Sequence, residues 1–427
     1  MRLTLAYGRT GLTVDLPDDA DILRPASTPG LADEAAALRA ALRRPIDSPP
    51  LADLVRPGDS VVIIHTDITR ATPNDRILPV LLAALEGAGV RRGDITLLNG
   101  LGTHRRQSEA ELRAMLGAGV VDDYRCLQHS CFDEENLVGL GVTSLGHPLR
   151  INRAYLEADV RILTGFIEPH FFAGFSGGPK AVLPSLAGTE SVFSNHGLGM
   201  IGHPQATWGV TAGNPIWEEM AEVALLTRPT FLLNVALNTR KQITGVFAGD
   251  MLAAHAAGCE FVRASSMVGV SQPYEIVLAT NSGYPLDQNL YQAVKGMSAA
   301  AQIVREGGAI VIAAACADGL PDHGKYAALL AAGGSPQGVL DLISQPGFSE
   351  HDQWQVQIQA QIQLRAQVFV YSDGLSDGQI TRALLTPCRD IPATLADLRR
   401  RFGPNARVCV LPDGPMTIPY RAPAQSG

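Results

Sequence analysis

Short apolar runs rich in β-branched residues recur along this chain and alternate with longer segments of helical periodicity. The runs typical of buried strands are SVVIIHTD, DITLLNG, VRILTGF, FLLNVALN, EIVLATN, GAIVIAAAC, QVFVYSDG and RVCVLPDG. The helix-like segments between them include RILPVLLAALEGAG, PIWEEMAEVALL, DMLAAHAAGCEFVRA and NLYQAVKGMSAAAQIVRE. Buried strands separated by amphipathic helices predict mainly parallel sheets that are covered by helices on both faces. The predicted fold class is therefore α/β.

The length predicts more than one domain. A chain of 427 residues exceeds what one ordinary hydrophobic core supports. The stretch SSMVGVSQPYE separates two groups of strands, so we predict an N-terminal domain over 1–268 and a C-terminal domain over 269–427. Because ligands bind at the carboxyl ends of parallel strands, the active site is expected in the cleft between these domains.

The composition narrows the class of partner. The formal net charge of −8 argues against a nucleic-acid or anionic-membrane partner, since both need a basic face. The chain shows no leader-like start and no apolar stretch of membrane-spanning length, so a cytoplasmic location is expected. The six cysteines are expected to be unpaired, and Cys126, His129 and Cys131 form only a weak zinc motif.

Chemically capable residues follow three of the predicted strands. VVIIH leads into Asp67 and Arg70, ITLLNG leads into His104, and ILTGFIEP leads into His170. An arginine at a strand end offers a planar fork for a carboxylate, although Asp67 and Arg70 could also form a simple loop ion pair. His104 has the alternative of a surface histidine. His170, among phenylalanines, is expected to have a lowered pKa and to accept a proton, with a structural core histidine as the alternative.

A glycine-rich turn precedes a lone lysine. The segment GFSGGPK contains Ser176, Gly177, Gly178 and Lys180, and its backbone N–H groups are expected to face an anion. It does not have P-loop spacing. Lys180 remains open as a phosphate clamp, a Schiff-base lysine, a covalent attachment point or a solvated surface residue. His196 follows in SNHG.

The second half contributes a helix with polar residues on neighbouring turns. PLDQNLYQAVKGMSAA places Tyr291, Gln292 and Lys295 within reach of one another, because residues three and four apart share a helix face. The pattern fits either a solvated face or an arm that reaches into the cleft. Trp354, in DQWQVQ, is a weaker candidate for the wall of a pocket.

Together these segments resemble the nickel-dependent lactate racemase family of 2-hydroxyacid racemases and epimerases. The resemblance spans nearly the whole chain in order. It is carried by DITR (67–70), GTHR (102–105), EPHFFAGFSGGPK (168–180), SNH (194–196), GNPIWEEM (213–220), GVFAGD (245–250) and YQAVKGM (291–297). The sequence departs from the family at Pro179, where some members have arginine, and at Arg106, where proline is frequent.

The resemblance implies a cofactor. In this family a pyridinium nucleotide bearing a thioamide and a thiocarboxylate holds nickel through two sulfurs and a ring carbon. Lys180 matches the lysine that tethers it covalently, and His196 matches the protein ligand of the nickel. We expect Ser176, Gly177 and Gly178 to help hold the nucleotide phosphate, and separate cofactor-synthesis and insertion proteins to supply the nucleotide.

The resemblance also implies the reaction and its residues. C2 of a 2-hydroxyacid is inverted by reversible hydride loss through a 2-oxoacid, and His104 and His170 match the pair of acid–base histidines. Residues expected at the substrate are Arg70, Lys295, Asp67, Gln292, Tyr291 and Trp354. Asp67 is expected to orient Arg70, and Arg106 to favour a dicarboxylic acid such as malate. The alternatives are a zinc-dependent hydrolase or lyase that uses the three histidines, and a non-catalytic nickel–nucleotide carrier.

Overall fold

The computed structural model describes residues 1–321 and 324–422. In chain order its strands are β1 (Arg2–Leu5), β2 (Leu12–Asp15), β3 (Asp21–Ile22), β4 (Val61–Thr66), β5 (Ile95–Gly100), β6 (Arg125–Gln128), β7 (Leu137–Val142), β8 (Pro148–Asn152), β9 (Val160–Ile167), β10 (Pro169–His170), β11 (Gly174–Phe175), β12 (Phe231–Leu237), β13 (Ile243–Gly249), β14 (Met267–Val270), β15 (Tyr274–Thr280), β16 (Val304–Ala313), β17 (Ala366–Tyr371), β18 (Thr386–Pro387), β19 (Val408–Leu411) and β20 (Ile418–Arg421).

The helices alternate with these strands. They are α1 (Glu34–Arg43), α2 (Asn74–Gly87), α3 (Glu109–Leu116), α4 (Ala118–Asp123), α5 (Arg153–Glu157), α6 (Thr189–Asn195), α7 (Leu198–Ile201), α8 (Pro215–Leu226), α9 (Met251–Ser266), α10 (Leu290–Ala301), α11 (Tyr326–Gly333), α12 (Pro336–Ile343), α13 (Gln353–Arg365), α14 (Asp377–Arg382) and α15 (Ile391–Phe402). In the part of the chain that the structure describes, no helix is both long and apolar enough to cross a membrane.

Two six-stranded sheets organise the molecule. The first sheet has the order β13-β12-β9-β4-β5-β6, and all its pairings are parallel except that of β12 with β13. The second sheet has the order β18-β17-β16-β15-β19-β3 and is parallel throughout. The predicted α/β class with mainly parallel sheets is therefore confirmed.

Both faces of each sheet are buried, as apolar strands require. In β4, Val61 and Ile63 pack against α1 and α2, whereas Val62 and Ile64 belong to the core on the opposite face. The second sheet alternates in the same way, and the residues of its inner face join the cluster that contains Val62. One continuous apolar core therefore links the two halves of the molecule.

The N-terminal segment corrects the predicted extent of the first domain. Strand β3 pairs with β19, so Asp21 and Ile22 extend the second sheet rather than the first. Leu5 and Val14, from the β1–β2 hairpin, lie in the core on the outer face of the second sheet. The pairing of β3 satisfies an otherwise open sheet edge. The assignment of this segment to the 1–268 domain was therefore wrong, while the division near residue 268 stays a prediction.

This placement gives a stability test. Leu5 is 1% exposed and contacts the second-sheet core, whereas Leu226, at the end of α8, is 55% exposed. We expect Leu5→Ala to lower the free energy of unfolding by about 2–5 kcal/mol in chemical denaturation, because it removes buried methyl groups and leaves a cavity. Leu226→Ala is the matched control and should change it by less than about 0.5 kcal/mol. Equal effects of the two variants would contradict the placement of the hairpin.

Candidate active site

A cleft between the two halves brings the predicted site residues together. Its empty volume is about 880 Å³. The predicted residues that line it are Asp67, Arg70, His104, His170, Ser176, Gly177, Lys180, His196, Tyr291, Gln292, Lys295 and Trp354. Of the predicted site residues, only Gly178 is missing from this lining. A cleft therefore lies between the two halves, where the site was expected, and its assignment as the active site stays a prediction.

Three neighbouring strands of the first sheet deliver the first group of side chains. β9, β4 and β5 are adjacent and parallel, so their carboxyl ends meet at one edge of the sheet. Asp67 directly follows β4, His104 follows β5, and Glu168 follows β9. The sheet therefore fixes the backbone from which these groups project.

Asp67 holds His104 rather than Arg70. The carboxylate of Asp67 accepts hydrogen bonds from Nδ1 of His104 at 2.6 Å and from Oγ1 of Thr69 at 2.8 Å. Burial alone would raise the pKa of Asp67, but its interaction with His104 outweighs burial and lowers the pKa, with further contributions from the charge of Arg70 and the hydrogen bond of Thr69. Since an ionised carboxylate only accepts, Nδ1 of His104 carries the proton and Nε2 remains available.

Arg70 is paired with Glu168, a residue for which the sequence predicted no role. Nη1 of Arg70 lies 3.6 Å from Oε1 of Glu168, and the same oxygen accepts a 3.2 Å hydrogen bond from Ser176. The prediction that Asp67 orients Arg70 is therefore wrong at the side-chain level. Nη1 of Arg70 is buried and has no hydrogen-bond partner among the described residues. The arginine thus retains donor capacity for an anion.

Phe172 lies among the functional side chains of the segment 168–196. Its ring centroid is 4.5 Å from that of His170 and 5.0 Å from that of His196, both edge to face, and Nζ of Lys180 lies 5.3 Å from it. Burial, followed by the charges of Lys180 and Arg70, lowers the pKa of His170 well below its usual value, in agreement with the sequence prediction. The backbone N–H of Ala173 donates to Nδ1 of His170 at 3.2 Å, which places the ring proton on Nε2.

Lys180 and His196 fit the family's cofactor. Nδ1 of His196 is buried and has no hydrogen-bond partner in the described chain, as expected of an imidazole that awaits a ligand. Lys180 is 9% exposed, and its amine makes neither a hydrogen bond nor an ion pair among the described residues. Burial, then the charges of Arg70 and Lys295, lowers the pKa of Lys180, which favours an uncharged nucleophilic amine.

The structure gives no support to a zinc site. Among residues 1–321 and 324–422, no group of three His, Cys, Asp or Glu residues is arranged to hold a metal ion. All six cysteines are unpaired, as expected, and His129 is bonded to the Ala187 carbonyl and to Asn152. A hydrolytic zinc centre needs about three protein ligands, so the arrangement of the described residues argues against this alternative.

The backbone of the glycine turn is hydrogen-bonded to Asn234 and His255, two residues that were not predicted from the sequence. The N–H of Gly178 donates to Oδ1 of Asn234 at 2.8 Å, and Nε2 of His255 lies 3.0 Å from the carbonyl oxygen of Ser176. The expectation that Gly178 offers its N–H to an anion is therefore wrong. The polar Asn234 inside the apolar run FLLNVALN was the available signal for this role.

The second half closes the cleft with α10 and α13. Lys295 and Gln292 project from α10 and are buried, so the alternative of a solvated helix face is excluded. Tyr291 accepts a 2.8 Å hydrogen bond from Nε1 of Trp354, whose ring centroid is 5.3 Å from that of His196. Burial and the charge of Arg70 lower the pKa of Lys295 to about 7. By contrast, Arg106 is exposed and does not line the cleft.

Comparison with known proteins assigns this chain to a family of racemases. Residues 7–209 match the lactate racemase N-terminal domain, and residues 270–418 match the lactate racemase C-terminal domain. Lactate racemase of Thermoanaerobacterium thermosaccharolyticum is 35% identical over 97% of this chain and 98% of its own length. That of Lactiplantibacillus plantarum is 38% identical over 87% of this chain and 88% of its own length.

The fold agrees with this assignment. The solved apoprotein structure of the T. thermosaccharolyticum lactate racemase superposes with a TM-score of 0.90 at 34% identity, over 99% of this chain and 100% of that one. The chain belongs to the lactate racemase family.

The packing of His255 against the glycine turn can be tested by replacing Gly178 with alanine, which adds one methyl group. Gly178 has φ +54°, and a Cβ there would lie 2.5 Å from the ring of His255. We expect Gly178→Ala to lower the free energy of unfolding by about 1–3 kcal/mol, because it adds backbone strain to a steric clash. Gly119→Ala, on α4 with open space around it, is the control and should be neutral or slightly stabilising in the same denaturation experiment. A Gly178→Ala variant as stable as the control would refute the tight packing of His255 on the turn.

Proposed function

We propose that this protein is a racemase or epimerase that inverts C2 of a 2-hydroxyacid such as lactate. The observation that carries the proposal is the composition of one cleft. The cleft is lined by two histidines and by two cations suited to a carboxylate; His104 carries its proton on Nδ1 and His170 on Nε2. It is also lined by Lys180, whose amine has no hydrogen-bond partner among the described residues. Membership of the lactate racemase family supports the same reaction.

Arg70 and Lys295 would bind the substrate carboxylate. They come from opposite walls of the cleft, one from the end of β4 and one from α10. An anion between them relieves the mutual repulsion that contributes to the lowered pKa of Lys295. The side-chain oxygen of Gln292, which has no hydrogen-bond partner among residues 1–321 and 324–422, would accept a hydrogen bond from the substrate.

The histidines would move the hydroxyl proton. Nε2 of His104 is a proton acceptor because Asp67 holds the proton on Nδ1, while Nε2 of His170 is a donor because Ala173 occupies Nδ1. For the enantiomer whose hydroxyl faces His104, that histidine would be the base and His170 the acid. Each ring already has the protonation state that this role requires. The substrate would lose a hydride from C2 and a proton from its hydroxyl to give a planar 2-oxoacid. Return of the hydride to the opposite face of C2, with return of a proton to the oxygen, would give the C2 isomer.

The nickel-pincer nucleotide would be held by Lys180 as covalent tether and by His196 as metal ligand. When bound it supplies the hydride acceptor, a chemistry that protein side chains lack. The surrounding residues of the chain exclude water from the cleft and orient the acid. Because the nucleotide must be made and inserted, the proposal requires cofactor-synthesis proteins as partners.

A chiral assay tests this proposal. Protein co-produced with cofactor-synthesis proteins would be given single enantiomers of lactate and other 2-hydroxyacids, and the product composition would be read by chiral chromatography. We expect inversion, its loss in Lys180→Ala, and disappearance of the cofactor adduct from the intact mass of that variant. Lys325→Ala, an exposed lysine outside the cleft, is the control and should retain both. An adduct of the correct mass without inversion of any acid would favour the carrier alternative.

The ionisation of Lys295 predicts a pH dependence of substrate binding. Because its pKa is lowered to about 7, the ammonium is present below that pH and is lost as the pH rises through it. We expect the affinity of the apoprotein for the inverted acid, measured by calorimetry, to fall between about pH 6 and 8.5, by up to about tenfold per pH unit. Lys295→Arg should flatten this dependence, since arginine stays charged. An identical pH profile in the variant would exclude Lys295 as its source.

A further inference from the structure

A second chamber adjoins the cleft beside His104. Its empty volume is about 870 Å³. Five residues line both spaces, so the chamber borders the part of the cleft where the substrate C2 would lie; these are Asp67, Thr103, His104, Tyr291 and Gln292. Lys180 and His196 line the cleft but not the chamber.

The chamber presents amide groups that lack partners. Gln288 is 5% exposed, and its side-chain Nε2 is buried without a hydrogen bond in the described chain, as is Oε1 of Gln292. The backbone around Gln288 is fixed, because its carbonyl accepts from Asp318 N–H at 2.8 Å and the side chain of Asn289 caps α10. Unpaired buried amides are costly, so these groups are suited to a ligand that can donate and accept hydrogen bonds.

The charges around the chamber disfavour an anionic ligand group. Asp318 and Asp352 line it, and both carry carboxylates. Arg105 also lines it, but Glu111 already binds that guanidinium through two hydrogen bonds of 2.6 and 2.9 Å. Burial lowers the pKa of His351 to about 4, which leaves this lining residue neutral near pH 7. A second carboxylate would meet repulsion here, contrary to the malate preference suggested by Arg106.

We infer that the substrate is a 2-hydroxyacid whose chain beyond C2 carries uncharged hydroxyl groups, an aldonic acid, and that Gln288 binds this tail. The inference rests on the proposed function and names its substrate class. With the carboxylate at Arg70 and Lys295, and C2 between His104 and His170, the third carbon points past His104 into the chamber. A hydroxyl group of the tail accepts from the amide of Gln288, which has no hydrogen-bond partner in the described chain, whereas the methyl group of lactate leaves that donor unpaired.

The test compares acids that differ only in the tail. Cofactor-loaded protein is given D-gluconate and 2-hydroxyhexanoate, which share a carbon skeleton, together with lactate and malate. Inversion is followed by chromatography, and binding to the apoprotein is measured by calorimetry. We expect gluconate to give the highest kcat/KM and the tightest binding of the four, and malate the weakest binding.

Gln288→Leu isolates the contact. It keeps the size of the side chain but removes the amide, so the ratio of kcat/KM for gluconate over 2-hydroxyhexanoate should fall about three- to tenfold, the worth of one neutral hydrogen bond. The exposed Gln345→Leu is the matched control and should leave the ratio unchanged.

Two outcomes would overturn the inference in distinguishable ways. If lactate or 2-hydroxyhexanoate is inverted with a kcat/KM equal to or above that of gluconate, or if Gln288→Leu leaves the ratio unchanged, the assignment of the tail is wrong and the racemase proposal stands. If no acid is inverted by protein that carries the cofactor adduct, the proposed function fails and the inference with it.

Discussion

Three basic side chains share one buried cleft, and this concentration of positive charge is the constraint on which the site depends. Burial and the charge of Arg70 lower the pKa values of both Lys180 and Lys295, and Glu168 lies 3.6 Å from Arg70. In a poorly hydrated space such repulsion is costly unless an anion enters. The continuous apolar core between the sheets holds these groups in place, so the energy that the fold gains by burial elsewhere maintains an anion-binding cleft.

Much of the fold follows from the sequence because buried parallel strands have a strong local signal. All eight apolar runs form strands, and the central helices lie where the periodicity placed them. The two-residue strand β3 has no such signal, since its place is set by the open edge of β19. α13 alternates polar and apolar residues like a strand, yet it is a buried helix. Its glutamines donate to carbonyls of neighbouring elements, including those of Leu198 and Ala383.

Most residues of the candidate site that line the cleft were predictable from the sequence, but their side-chain pairings were not. Reactive side chains at strand ends are visible in a sequence, because the carboxyl edge of a parallel sheet is where ligands bind. Which carboxylate faces which cation depends on side-chain direction across strands. Thus Asp67 bonds His104, and Glu168 approaches Arg70. His255, which supports the glycine turn, lies 79 residues after Ser176 in the chain. No local sequence pattern indicates a contact between residues so far apart.

The hydrogen bond from Gln357 to Leu198, 3.0 Å long, ties α13 to the segment that immediately follows His196. The ring of Trp354, also on α13, contacts His196. The two halves of the molecule are therefore in contact at and next to His196. A ligand that engages His196 and the α13 wall at once joins the two sheets as well as filling a pocket. Its binding free energy then adds to the stability of the whole chain by mass action, so the resistance of the protein to heat reports how fully it is loaded.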